Sequence, residues 1–285
     1  MRMAESDAAA SPLFDSPIAF IGGGNMARSL IGGLTARGTP PERIRVVDPD
    51  ADTRAALTRD FGVAAFAHAT DAVAGAVTWV LATKPQVMRE VCTALADEAR
   101  SARPLVLSIA AGITAVQLER WLGGDLAIVR TMPNTPALLG AGVTGLYANA
   151  NVDAAGRAYA DALLRSAGDT VWLEAEAQMD AVTAVSGSGP AYVFLLAEAM
   201  EAAAVAQGLE ADAARTLVQQ TVLGAARMLV EDGATPSELR RRVTSPGGTT
   251  QAAIEVLEGG GLRTLMGEAI DRATRRGAEL AAAND

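Results

Sequence analysis

A short apolar run, Pro17–Ile21 (PIAFI), leads directly into Gly22-Gly23-Gly24-Asn25-Met26-Ala27, and a helical pattern follows over Asn25–Arg37. Strand, G-x-G-x-x-A and helix in that order constrain this chain more than any other feature. Gly22 permits a tight turn, Gly24 lets backbone approach a pyrophosphate, and Ala27 allows close helix–strand packing. The helix start offers unpaired N–H groups and the positive end of its dipole to an anion. A glycine turn without a ligand is the alternative reading. It is weakened by context, because the motif opens a repeating βαβ pattern.

That pattern continues with strand candidates at Arg43–Asp48, Val77–Ala82, Pro104–Ile109 and Leu126–Arg130. Helical stretches at Ala51–Phe61, Pro85–Ala99 and Thr114–Trp121 separate them. Val77–Ala82 (VTWVLA) is continuously apolar and β-branched, as a strand buried on both faces should be. The rhythm predicts an α/β fold, a Rossmann-like parallel sheet with helices on both faces. Beyond residue 174 the strands stop. Asp180–Val185, Pro190–Gly208, Ala211–Asp232, Pro236–Val243, Thr249–Leu257 and Leu262–Ala283 all read as helical. The expected organisation is a loose tail over 1–16, a dinucleotide-binding domain over 17–174 and an all-α domain over 175–285. Within Pro190–Gly208, the segment Ala191–Ala197 (AYVFLLA) is apolar on every face and needs cover all round. A second subunit or the centre of a monomeric bundle would each supply it.

Composition removes several chemistries. The 285 residues include one histidine (His68), one cysteine (Cys92) and one lysine (Lys84). A closed zinc site needs about four N/S ligands, and a disulfide within the chain needs a second cysteine. A net charge of −9 argues against nucleic acid or an anionic membrane surface as partner. Residues 1–16 lack the apolar core of a signal peptide. Glu198 and Glu201 interrupt the most apolar run, so no bilayer span is expected. A cytoplasmic location is the expectation.

Asp48 ends the second strand, where an acid binds the ribose 2′-hydroxyl of NAD and repels a 2′-phosphate. The next base, Arg54, is expected on the following helix, away from Asp48. That favours NADH; capping of an Asp-Pro turn is the alternative for Asp48. Lys84 is read as support for the cofactor cleft or as a surface strand-end lysine. His68 is read as a loop residue and Cys92 as a small apolar packing group. Asn134 either lines the cleft or makes an Asx turn.

Five further segments carry a resemblance. They are Ala82-Thr83-Lys84-Pro85, Ser108-Ile109-Ala110-Ala111-Gly112, Met132-Pro133-Asn134-Thr135-Pro136, Val185-Ser-Gly-Ser-Gly-Pro-Ala-Tyr192 and Ser245-Pro246-Gly247-Gly248-Thr249-Thr250. In this order and spacing, over about residues 18–280, the chain resembles pyrroline-5-carboxylate reductases. The resemblance implies a Rossmann domain, a helical dimerisation domain, and hydride transfer from NADPH or NADH to the carbon of a cyclic C=N bond. It implies that Ile21, Gly22, Gly23, Gly24, Asn25 and Met26 hold the pyrophosphate. By the same token Ala82, Thr83, Lys84, Pro85, Ala110, Ala111 and Gly112 line the nicotinamide side, with Asp48 on the ribose. Gly247, Gly248, Thr249 and Thr250 would bind substrate, and Ser245 and Thr250 would be the catalytic pair, Thr250 donating to the ring nitrogen. A homodimer through the C-terminal helices is implied, and dimers can assemble further.

Three departures qualify the resemblance. Asp48 stands where NADPH-preferring members often carry Ser or Thr. Ala69 stands where some carry a cofactor-binding Asn. Arg240-Arg241-Arg242 replaces a Leu-Lys-Asp-x-Val pattern; it either contacts cofactor phosphate or forms a solvated helix face. Two other readings stay open: a related dehydrogenase of the β-hydroxyacid type, or a non-catalytic NAD(P)-binding module. The first uses a lysine in its second domain, and no lysine follows Lys84. The second would lose the substrate loop, and Ser245–Thr250 is intact.

Overall fold

The computed structural model describes residues 16–284, so the tail expected over 1–16 lies, apart from Ser16, outside the described residues. Two compact units divide the chain. The first runs to Gly187 and takes back the residues from Ala273 onward; the second is Ser188–Arg272.

The first unit is built on eight strands: β1 (Ile18–Ile21), β2 (Ile44–Val47), β3 (Ala64–Phe66), β4 (Thr78–Leu81), β5 (Leu105–Ser108), β6 (Ala127–Met132), β7 (Gly142–Ala148) and β8 (Gly168–Trp172). Their order is β3-β2-β1-β4-β5-β6-β7-β8. All neighbours are parallel except β6 and β7. Helices α1 (Asn25–Ala36), α2 (Ala51–Phe61), α3 (Ala69–Val73), α4 (Pro85–Ala94), α5 (Ala96–Ala102), α6 (Ala115–Leu122) and α7 (Ala154–Leu164) connect them.

Strand side chains alternate between two cores. Ile18, Phe20 and Leu107 pack with Leu30 and Ile31 of α1, Leu57 of α2 and Leu163 of α7. Ala19, Ile21, Trp79 and Leu81 pack on the other face with Met88 and Cys92 of α4 and Leu118 of α6. Each such large side chain contributes about 1.5–3 kcal/mol through burial. Both faces are covered, which is why the strands read as unbroken apolar runs.

The stretch 137–174, which the sequence pattern leaves without elements, holds β7, α7 and β8. Glycine hides them. A Cβ on Gly145 would lie 2.7 Å from Val182 Cγ1, and one on Gly168 would lie 2.0 Å from the Gly142 carbonyl oxygen. These strands have glycines where neighbours press close, and glycine reads as loop.

After β8 come α8 (Met179–Val182) and a π-helical turn, Thr183–Gly187. The helix expected over Asp180–Val185 is thus α-helical only to Val182. The second unit contains α9 (Gly189–Ala206), α10 (Ala211–Glu231), α11 (Pro236–Arg242), α12 (Thr249–Gly259) and the start of α13 (Leu262–Ala283). α9 and α10 pack against each other. No residue of α9 is buried within the chain, and Phe194 is 67% and Leu195 65% exposed. The consecutive helical stretches from Glu176 to Ala206 cover 31 residues and contain an 18-residue window of mean hydropathy 1.3. By length and composition alone this stretch matches a membrane span; the sequence expectation concerned the shorter run Pro190–Gly208, and the added length comes from the short helical turns before α9.

Candidate active site

The strand order reverses between β1 and β4, the switch point at which open α/β sheets bind ligands outside their strand carboxyl ends. Gly22 follows β1 with φ +109°, and its N–H donates to Val47 O at 2.8 Å. A Cβ there would lie 2.6 Å from Ala82 O at the end of β4. The turns after β1 and β4 therefore meet only because residue 22 is glycine. Gly24 faces open space, with nothing within 4 Å of a Cβ position. It precedes α1 without a side-chain cap, and the N–H groups of Asn25 and Met26 find no acceptor among the described residues. Buried Ile21 ends β1 beneath them. An exposed glycine, free N–H donors and a helix start fit a dinucleotide pyrophosphate.

Around this cradle, Ala82, Thr83 and Pro85 are half-buried, and Lys84 is exposed at the start of α4. Ala110 and Gly112 are buried and Ala111 is exposed, in the turn after β5. The last turn of α13 braces that turn: Gln117 Nε2 donates to Ala281 O at 3.2 Å, and Leu280 Cβ lies 3.4 Å from a Cβ position on Gly112. Sequence reasoning gave the chain's end no part in this. The separation of 164 residues between Gln117 and Ala281 leaves no local signal.

Asp48 sits at the end of β2 as expected, with both carboxylate oxygens engaged. Oδ2 accepts from Gly23 N–H and Oδ1 from Asp50 N–H, each at 2.9 Å. The expectation for Arg54 needs correction. Its side chain curls back over the start of α2, and Nη1 donates to Asp48 O at 2.8 Å and to Pro49 O at 2.9 Å. Helical phase predicts where a Cβ points but not the reach of a long guanidinium stem.

Ser245–Thr250 forms the turn into α12. Gly247 has φ +71°, its N–H donates to Gln251 Oε1 at 2.7 Å, and Gly248 caps α12 without a side-chain bond. A Cβ on Gly248 would lie 2.5 Å from Ser245 Oγ. The N–H groups of Thr249 and Thr250 have no acceptor among the described residues, and Ser245 and Thr249 are exposed. This is a second anion-ready helix start, with two hydroxyls beside it.

Other candidates resolve into structure. Asn134 is a brace: Oδ1 accepts from Val143 N–H at 3.0 Å and Nδ2 donates to Ser186 O at 3.2 Å. His68 is exposed before α3. Burial pushes the Cys92 thiol up to about 12, so it is not a thiolate. Arg240, Arg241 and Arg242 lie within ion-pair distance of Glu258, Glu238 and Asp232 respectively, as a solvated helix face would. Arg130, whose side chain is 4% exposed, pairs with Glu176 at 3.1 Å and with Asp180 at 3.8 Å.

Fold, switch-point cradle and helical second unit define the class: a two-unit oxidoreductase of the Rossmann type. Known proteins narrow it. The family model described as pyrroline-5-carboxylate reductase dimerisation matches residues 176–280, and one described as NADP oxidoreductase, coenzyme F420-dependent, matches 17–112. The chain is 52% identical to a pyrroline-5-carboxylate reductase of Pseudomonas aeruginosa, over 93% of this chain and 96% of that one. It is 40% identical to the Escherichia coli protein of that name, over 93% and 98%. A solved pyrroline-5-carboxylate reductase from Coxiella burnetii superposes with TM-score 0.90 at 44% identity, covering 93% and 98%. A Plasmodium falciparum pyrroline carboxylate reductase, solved with NADP bound, gives 0.82 at 26% identity, covering 94% and 98%. The chain belongs to the pyrroline-5-carboxylate reductase family.

Proposed function

We propose that this protein reduces 1-pyrroline-5-carboxylate to L-proline with NADPH or NADH. Family membership carries the reading, together with a pyrophosphate cradle and a substrate-type loop both present in the chain. A bound reduced nicotinamide supplies the hydride. The protein's own residues position the partners and favour the charge that develops.

The N–H groups from Gly24 to Met26 hold the pyrophosphate, Asp48 accepts from the adenosine ribose, and Ala82–Pro85 with Ala110–Gly112 line the nicotinamide. The free N–H groups at the start of α12 and the Ser245 hydroxyl receive the substrate carboxylate. A basic imine arrives protonated, so no strong acid is needed. As hydride adds to carbon, a lone pair forms on nitrogen, and the Thr250 hydroxyl donates to it. That bond exists only as the reaction proceeds, which is what accelerates a chemical step. This suits a chain with one histidine and one lysine.

The molecule works as a homodimer. The apolar surface of α9, uncovered within one chain, falls inside the matched dimerisation region. We place the enzyme in the cytoplasm, in keeping with its biosynthetic relatives and its acidic charge. Purified protein given the imine and either cofactor is expected to form proline. No proline with either overturns the reading, and none with NADH alone overturns the role given to Asp48.

A further inference from the structure

We infer that Arg54 is the residue through which this chain accepts a dinucleotide carrying a 2′-phosphate, so that Asp48 and Arg54 together allow both cofactor forms. The inference rests on the reading of Gly22–Met26 as a dinucleotide site. It departs from the sequence pattern, in which an acid at the end of β2 speaks for NADH alone.

Three observations carry it. First, Arg54 is half-buried and anchored: one nitrogen, Nη1, is shared between the carbonyl oxygens of Asp48 and Pro49. Anchoring fixes the guanidinium beside the β2–α2 turn and leaves Nε and Nη2 without a hydrogen-bond partner among the described residues. Second, no carboxylate oxygen among the described residues accepts a hydrogen bond from Arg54; the nearest acids take theirs from other donors. Asp48 accepts from Gly23 and Asp50 N–H groups, and Asp50 accepts from the Thr53 N–H at 2.7 Å and the Thr53 hydroxyl at 2.6 Å. Those Thr53 bonds, with a smaller contribution from the Arg54 charge nearby, hold the Asp50 carboxyl below the usual carboxylate range. Third, Arg54 is the one base between Asp48 and Thr58, a stretch that also holds Asp50 and Asp52. Without it the turn would repel a phosphate outright. A guanidinium with two free donor positions is the group suited to phosphate oxygens, and β2 ends where the adenosine ribose lies in folds of this type.

The test compares two fragments that differ only in the 2′-phosphate, adenosine 2′,5′-bisphosphate and adenosine 5′-monophosphate, bound to the full chain and followed by calorimetry. Wild type is expected to bind the bisphosphate more tightly. In Arg54→Ala the ratio of the two dissociation constants is expected to collapse by about tenfold or more. The ratio of kcat/KM for NADPH over NADH should fall in parallel. Arg54→Lys, which keeps the charge and loses the fork, should fall between. Equal weakening of both fragments, as a purely structural brace would give, overturns the inference. So does a wild type that binds the two fragments equally, a result that needs no variant to fold. Absence of turnover with either cofactor, with the fragment ratio intact, would sink the reductase reading and leave Arg54 in place.

Discussion

Gly22 leaves no room for a side chain. Its φ of +109° is strained for any other residue, and the nearest atom to an added Cβ is backbone, Ala82 O at 2.6 Å. Gly22→Ala is expected to cost at least about 1–3 kcal/mol and to pry apart the turns after β1 and β4. A melting temperature lowered together with lost nucleotide binding would show this; an unshifted melt contradicts the close approach. Thr250 is the opposite case: its hydroxyl makes no hydrogen bond among the described residues, so under the proposed mechanism its loss touches chemistry and not folding. Thr250→Ala is expected to lower kcat/KM roughly 10- to 1000-fold, the value of one oriented donor, with the melt unchanged. Kinetics equal to wild type would remove Thr250 from its role. The glycine turn and Asp48 are legible as local patterns, a few residues in fixed order at the ends of strands, whereas the Ser245–Thr250 loop is singled out by the family resemblance and not by its spacing. Arg54 and the Gln117–Ala281 brace could not. One depends on where a flexible stem settles, the other on a contact across most of the chain.

At the level of elements, β1 to β6 and the helices between them follow from hydrophobic period, because strands buried on both faces leave a plain apolar signal. β7 and β8 do not, since the glycines in them stand where neighbouring elements press close and read as loop. What holds β8 in place is partly Asp161 on α7. It accepts from Thr170 Oγ1 at 2.6 Å, Arg165 Nε at 2.6 Å and Trp172 Nε1 at 3.2 Å. Burial opposes its charge, but bonds from Thr170, Arg165 and Trp172 outweigh that and hold its carboxyl below the usual range. A carboxyl depressed in the folded state stabilises at pH above its unfolded value, and that stability is lost as pH falls through the folded value. Asp161→Asn should therefore melt lower than wild type at neutral pH; the gap should begin to close as pH falls past the ordinary Asp value of about 4 and vanish below the folded value. A gap that persists into acid would assign the loss to shape and not to charge.

At the level of the molecule, the second unit is the part least complete in one chain. Val256 is 73% exposed and Phe194 67%, on helices whose sequence is apolar enough for a core. The sequence left a monomeric bundle and a dimer equally open, because an apolar helix states a need for cover without naming the source. Sedimentation is expected to show a species of twice the 29.2 kDa chain mass. A 29.2 kDa species at micromolar concentration contradicts the dimer, and a heavier one would report assembly of dimers. The chemistry itself is tested most directly by isotope. Purified protein is given 1-pyrroline-5-carboxylate and NADPH or NADH deuterated at the transferring carbon, and the proline formed is analysed. One deuterium on the ring carbon of the former C=N bond, for each equivalent of nicotinamide oxidised, is the expected result. Nicotinamide oxidation without labelled proline, or no oxidation at all, would contradict it.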